Sequence, residues 1–154
     1  MKYYIDGHNL IPKMYGMSLS DFDDEEALIR ILNDYGRLTR CSLTVFFDQA
    51  PDEHSGIRAY GNVRANFVSY RKKADEAIFR AVQKEKARAH EIIVVSSDQW
   101  VRGECRALGT QIETSESFAK KITRTLDSAQ VSTENRDRKP SSEEIDEWMR
   151  LFGG

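Results

Sequence analysis

Cysteine is scarce in this chain. Cys41 and Cys105 stand 64 residues apart, which excludes a disulfide scaffold and a thiolate metal site. With 40% hydrophobic residues, three prolines and nine glycines in 154 residues, a collagen-like or wholly disordered chain is excluded as well. No apolar run approaches the length that spans a bilayer, so no membrane partner is expected. The opening residues, MKYYIDGHNLIPKMYGMS, place an acid at position 6 and lack the apolar core of a secretory signal. Two reduced, packed thiols in a cytoplasmic protein are the expectation, or a stromal one if the source carries plastids. An excess of one charge is missing too, since the formal total is −2. Yet that total conceals segregation: residues 17 to 55 carry −6 and residues 56 to 90 carry +6.

What the chain does have is an alternation of short apolar runs with segments of helical period, the pattern of βαβ units and a mostly parallel sheet. Tyr3 to Ile5, Leu43 to Phe47 and Ile92 to Val95 are the strong strand candidates. Ala65 to Ser69 and Gln111 to Glu113 are weaker ones. Leu28, Ile31, Leu32, Tyr35 and Leu38 keep the spacing of one helix face, and so do Ala74, Ala77, Ile78, Ala81 and Val82. A helix is expected from Asp98 to near Gly109, another carries Phe118, Ile122 and Leu126, and residues 49 to 62 are expected to form a loop. The polar stretch 127–140 is expected to be a linker between a domain of residues 1–126 and a terminal helix at 141–154. That helix begins with the capping-box pattern Ser141-Ser142-Glu143-Glu144, and its apolar face is expected to dock on the domain or on a partner.

Three of the apolar runs lead into aspartate: Asp6, Asp48 and Asp98. In an open parallel sheet such positions converge on one edge, near the point where strand order reverses. Asp75 and Glu76, at the start of a helix, can join them from the neighbouring loop. One aspartate alone is well explained as a helix cap, a role Asp98 suits, but several like charges in one cleft repel unless a multivalent cation sits among them. Hard oxygen donors without Cys or His spacing favour Mg2+ or Mn2+, one ion or two. Such ions on carboxylates are suited to phosphodiester hydrolysis by metal-activated water.

A phosphodiester substrate is itself a polyanion, and the basic segment supplies the counterpart. Arg58, Arg64, Arg71, Lys72 and Lys73 precede Asp75 and are candidates to hold RNA phosphates, with Tyr60, Phe67 or Tyr70 offering a face to an unpaired base. A charge run of this kind is more often a solvated face; its position directly before the acidic pair favours a binding rim.

Several of these residues fall into a known pattern. Asp6-Gly7-His8-Asn9-Leu10-Ile11 resembles the Asp-Gly-Tyr-Asn opening of NYN-domain proteins. Ala74-Asp75-Glu76-Ala77-Ile78 resembles the Ala-Asp-acid motif of their YacP-like branch, Val94-Val95-Ser96-Ser97-Asp98 its strand-ending Ser-Asp, and Gly109 with Thr114-Ser115-Glu116 its glycine and next helix start. The tail from Lys139-Pro140 to Trp148 and Phe152 is similar to the family's closing helix. The resemblance implies a three-layer α/β/α PIN-like fold and a Mg2+-dependent endoribonuclease. It also implies the ribosome as partner, since bacterial relatives in this branch cleave mRNA in association with it. By this resemblance Asp6, Asp75 and Asp98 are metal-binding acids, Glu76 is an auxiliary acid, and Asn9 orients the site. Asp48 is a cleft residue. The sequence departs from the pattern at His8, where tyrosine is usual, and at Phe79, where many relatives have a further acid.

Other chemistries fit poorly. An aspartyl-nucleophile phosphatase expects a second Asp where His8 stands, and phosphate-cradling glycine motifs are missing. The competing class is a non-catalytic RNA- or ribosome-binding module that keeps the fold.

Overall fold

A computed structural model describes residues 1–14 and 23–136 and arranges the apolar runs as one six-stranded sheet between two layers of helices. In chain order the elements are β1 (Lys2–Asp6), the short α1 (Gly7–Leu10), α2 (Asp23–Thr39), β2 (Ser42–Ala50), β3 (Gly56–Tyr60), β4 (Val63–Ser69), α3 (Ala74–Glu85), β5 (Ile92–Val95), α4 (Gln99–Ala107), β6 (Gln111–Glu113) and α5 (Ser115–Arg136). The spatial order is β3-β4-β2-β1-β5-β6, parallel throughout except for the β3–β4 hairpin at one edge.

Both faces of the central strands are covered, which explains why their sequences are continuous apolar runs instead of alternating ones. On one face Tyr3, Ile5, Leu43, Val45 and Val95 pack beneath Leu28, Leu32 and Tyr35 of α2 and Phe118 and Ile122 of α5. On the other, Tyr4, Phe46, Ile92 and Val94 pack beneath Ala74, Ile78 and Val82 of α3 and Val101 and Cys105 of α4. Burial of these side chains away from water is the main stabilising term, at about 25 cal/mol per Å2 of apolar surface. Cys41 and Cys105 are free, the first half-buried and the second buried.

Strand order reverses at the centre. From β1 the chain crosses to β2 on one side, and from β5 it moves to β6 on the other, so the C-terminal ends of β1 and β5 flank the crevice where such sheets bind ligands. The turn out of β1 is tight. A Cβ on Gly7 would stand 2.9 Å from Val45 Cγ2 and closer still to the Phe47 ring, so only glycine lets α1 lie against β2 here.

Three expectations need correction. Residues 49 to 62 are not a plain loop, because β2 continues to Ala50 and β3 occupies Gly56–Tyr60. Every residue of β3 is exposed, so it shows no apolar alternation from which it could be read. Nor does Asp48 end its strand. It lies in a bulge, where Phe47 pairs with Phe67 and Ala50 with Ser69; a bulge redirects the local side chains. The segment expected to open a linker at residue 127 instead continues α5 to Arg136. The expected helix at 141–154 lies outside the described residues.

Candidate active site

Asp6 is the last residue of β1 and the N-cap of α1, where its Oδ1 accepts from the Asn9 amide at 3.4 Å. Burial pushes its carboxyl up to about 6; the Asn9 amide opposes the shift, the Asp48 charge adds to it, His8 opposes it and Asp75 adds to it. Asp6 thus lies in the field of both Asp48 and Asp75.

His8 is the residue whose role the sequence least revealed. Its Nδ1 lies 2.6 Å from Asp48 Oδ1 and its Nε2 2.8 Å from Glu25 Oε2. A ring with a carboxylate on each nitrogen donates from both only as imidazolium. Hydrogen bonds to Asp48 and then Glu25 raise its pKa to about 9 against the opposing effect of burial. The His8 hydrogen bond in turn holds Asp48 below the usual carboxylate range, with burial opposing it. The clamp joins α1 to the bulge of β2 and to the first turns of α2. Asp48, expected as a cleft residue, is already engaged by a cation. Glu25 belongs to an acidic run that resembles an ordinary helix start, and nothing local to it points to a histidine 17 positions earlier.

Asn9 ties the crevice together. Its Oδ1 accepts from the Ser97 amide at 3.0 Å and from Ser115 Oγ at 3.0 Å, so one side chain holds the β1–α1 turn, the end of β5 and the start of α5 in fixed relation. Ser97 Oγ donates to Glu116 Oε2 at 2.9 Å, and Lys13 Nζ approaches Glu116 Oε1 at 3.1 Å. Glu116's own backbone amide, followed by Lys13 and Ser97, lowers its carboxyl to about 2. Lys13, Ser97 and Glu116 form a brace on the rim that was not among the expected functional residues, although the motif around Ser115 marked its helix.

Asp98 caps α4, its Oδ1 accepting from the Val101 amide at 3.1 Å, while its own amide donates to Ser96 Oγ at 3.0 Å. Asp75 Oδ1 accepts from the Glu76 amide at 2.7 Å in the first turn of α3. The second oxygens of Asp6, Asp75 and Asp98 have no hydrogen-bond partner among the described residues. Among those residues no group of three or more Asp, Glu, His or Cys side chains is already gathered to hold one ion. The donor chemistry nevertheless fits Mg2+ or Mn2+, because Mg2+ keeps several waters and takes only one or two carboxylates directly. Asp6 also presents an anion whose own charge is disfavoured where it stands.

The five candidate RNA-holding residues divide. Arg64, Lys72 and Lys73 line one groove beside α3, together with Glu76. Arg58 instead lies over the Phe67 ring, 4.9 Å from its centroid, and donates to the His54 carbonyl at 3.0 Å. Arg71 pairs with Asp52 at 3.1 Å and leans on Tyr70. Phe79, one helical turn past Asp75, packs against Trp100 with ring centroids 5.7 Å apart, and Trp100 is 46% exposed.

The family model described as YacP-like NYN domain matches residues 3–150. No curated protein matches the chain significantly. Two solved structures of Rae1 (YacP) from Bacillus subtilis are similar to it. One, a tryptophan-to-leucine variant, has a TM-score of 0.73 at 19% identity, covering 94% of this chain and 90% of that one. The other has a TM-score of 0.70 at 22% identity, covering 98% and 87%. At such identities the likeness establishes the α/β fold, and the roles of individual residues rest on the geometry above.

Proposed function

This chain belongs to the YacP-like NYN domain family, which has a nuclease-like fold, and from that premise we propose that it is a metal-dependent endoribonuclease. Its target in this reading is mRNA, cleaved in association with the ribosome. The observation that carries the proposal is Asp6. It is a half-buried carboxylate at the reversal of strand order, held in the field of Asp48 and Asp75, with an oxygen left to bind.

Asp6, Asp75 and Asp98 would hold Mg2+ or Mn2+, with Glu76 at the periphery. A divalent ion supplies, when bound, a more acidic water and neutralisation of the charge that grows on the phosphoryl oxygens. The chain's own residues do the positioning. Asn9 fixes the β1, β5 and α5 termini against one another through its Oδ1. The His8 clamp withdraws one of the competing negative charges by neutralising Asp48. Lys72, Lys73 and Arg64 offer positive charge to the phosphates on either side of the scissile one.

The test is incubation of the purified protein with single-stranded RNA, and with translating ribosomes, in Mg2+ or Mn2+ and then in EDTA. Cleavage that stops in EDTA and in Asp6→Asn and Asp98→Asn, and that leaves 5′-phosphate and 3′-hydroxyl ends, is the expected result. A 2′,3′-cyclic phosphate end would overturn water attack in favour of the RNA's own 2′-hydroxyl. The second reading, an RNA- or ribosome-binding module without chemistry, is favoured by one observation: no three acids are already gathered among the described residues. Tight binding without cleavage in the same assay would establish it.

A further inference from the structure

The α3 face of the sheet is only partly covered. α3 packs chiefly on β1 and β2 and α4 on β6, and of the β3–β4 hairpin only Val68 joins the buried core on that side. The uncovered strip and the flank of α3 form a groove of about 570 Å3. Arg64 rises from its floor, while Lys72, Lys73, Arg80 and Lys84 come from the wall and its upper end. None of these five side chains has an ion pair or hydrogen bond among the described residues. Two acids share the groove, and one of them, Glu85, is already occupied by Tyr4 Oη at 3.2 Å and Lys2 Nζ at 3.7 Å. The other, Glu76, stands next to Asp75 where the groove meets the acidic cleft. Between the cations the lining mixes polar Thr44 and Asn66 with apolar side chains, Val68 buried and Ile57 67% exposed.

We propose that this groove seats the unpaired stretch of RNA flanking the scissile phosphate, with Arg64, Lys73, Arg80 and Lys84 on its phosphates and Ile57 beneath its bases. The inference rests on the nuclease reading for its ligand and extends it with a path. The strand leaves the cleft at Glu76 and runs down α3 toward Lys84. Lys73 and Lys84 are eleven residues apart, about 17 Å along a helix axis, which accommodates a few nucleotides. Unpaired cations beside the exposed Ile57 side chain suit a single strand, whose phosphates and bases are both accessible. A duplex keeps its bases paired and stacked, so it has no base face to lay on Ile57.

Binding is measured by fluorescence anisotropy of a labelled oligouridylate of about twelve nucleotides, in EDTA so that no cleavage enters. Arg80→Ala/Lys84→Ala is expected to weaken binding about tenfold and to flatten the slope of log K against log salt by about 1.4, for two lost phosphate contacts on a single strand. Lys120→Ala/Arg124→Ala, exposed on α5 across the other face of the sheet, serves as the control, and thermal melts check that each variant is folded. Unchanged binding in the α3 variant, equal weakening in the control, or displacement by polyglutamate as effective as by unlabelled RNA would each overturn the groove. Cleavage by the wild type with unchanged binding in the α3 variant would remove the groove and leave the nuclease. Binding lost in the α3 variant, in a protein that never cleaves, would do the reverse.

Discussion

The chemistry of the crevice turns on two ionisable residues with opposite consequences for pH. Asp6 has a folded-state pKa of about 6, above its ordinary 3.8, so the folded protein binds the extra proton and stability falls as pH rises through that interval. In the absence of divalent ions, Asp6→Asn is expected to stabilise the protein at pH 7.5 by on the order of 1–2 kcal/mol, since asparagine also caps a helix. Adding Mn2+ should raise the Tm of the wild type and not of the variant. Thermal melts in EDTA and in Mn2+ check this, and a variant less stable than wild type in EDTA would contradict it. His8 is raised from 6.5 to about 9, so its contribution is fully present below about 6.5 and disappears as pH climbs through 9. Accordingly His8→Ala should cost on the order of 2 kcal/mol at pH 6.5 and much less at pH 10, read from urea unfolding at both values. Only part of this was legible in the sequence. Asp6, Asp75 and Asp98 stood out because each ends or opens a recognisable element, and Asn9 through the family resemblance alone. The engagement of His8 was not legible, because its partners Asp48 and Glu25 lie 40 and 17 positions away and only the β2 bulge brings Asp48 round to it.

At the level of elements, what could be read was what is buried. β1, β5 and the first half of β2 are apolar runs covered on both faces, and α3 keeps its period because Ala74, Ile78 and Val82 all face the sheet. Elements without such a face escaped: β3 is exposed along its whole length, and the distal part of α5 is polar enough to suggest a linker. The short α1 is too brief for any periodicity, yet it places His8 on Asp48 and Glu25 and Asn9 on Ser97 and Ser115. Its position depends on Gly7, whose missing Cβ admits Phe47 and Val45. Gly7→Ala should therefore displace α1 from β2, destabilise the protein by about 2 kcal/mol and weaken the His8–Asp48 bond. Urea unfolding and the pKa of His8 by NMR titration check both parts: a variant as stable as wild type, with His8 still titrating near 9, would show that α1 does not depend on this contact.

Over the whole molecule, a formal charge of −2 on 154 residues conceals two opposed surfaces. Asp6 at the end of β1 lies in the field of Asp48 and Asp75, and the unpaired cations line the groove beside α3. Opposed fields of this kind hold a polyanion along one line while repelling it elsewhere, so the affinity for free RNA should be modest and strongly dependent on salt. A platform that presents mRNA at high local concentration relieves that limit without any new contact. Cleavage of a naked mRNA at subsaturating protein is therefore expected to fall steeply between 50 and 200 mM salt, by about tenfold if a few phosphates are held. Cleavage of the same message on translating ribosomes should fall much less over that range, because delivery no longer depends on the groove's counterion release. Initial rates on the two substrates across a salt series measure this. Equal salt slopes would mean that the ribosome contributes nothing to delivery and that the chain's own surface accounts for all of its recognition.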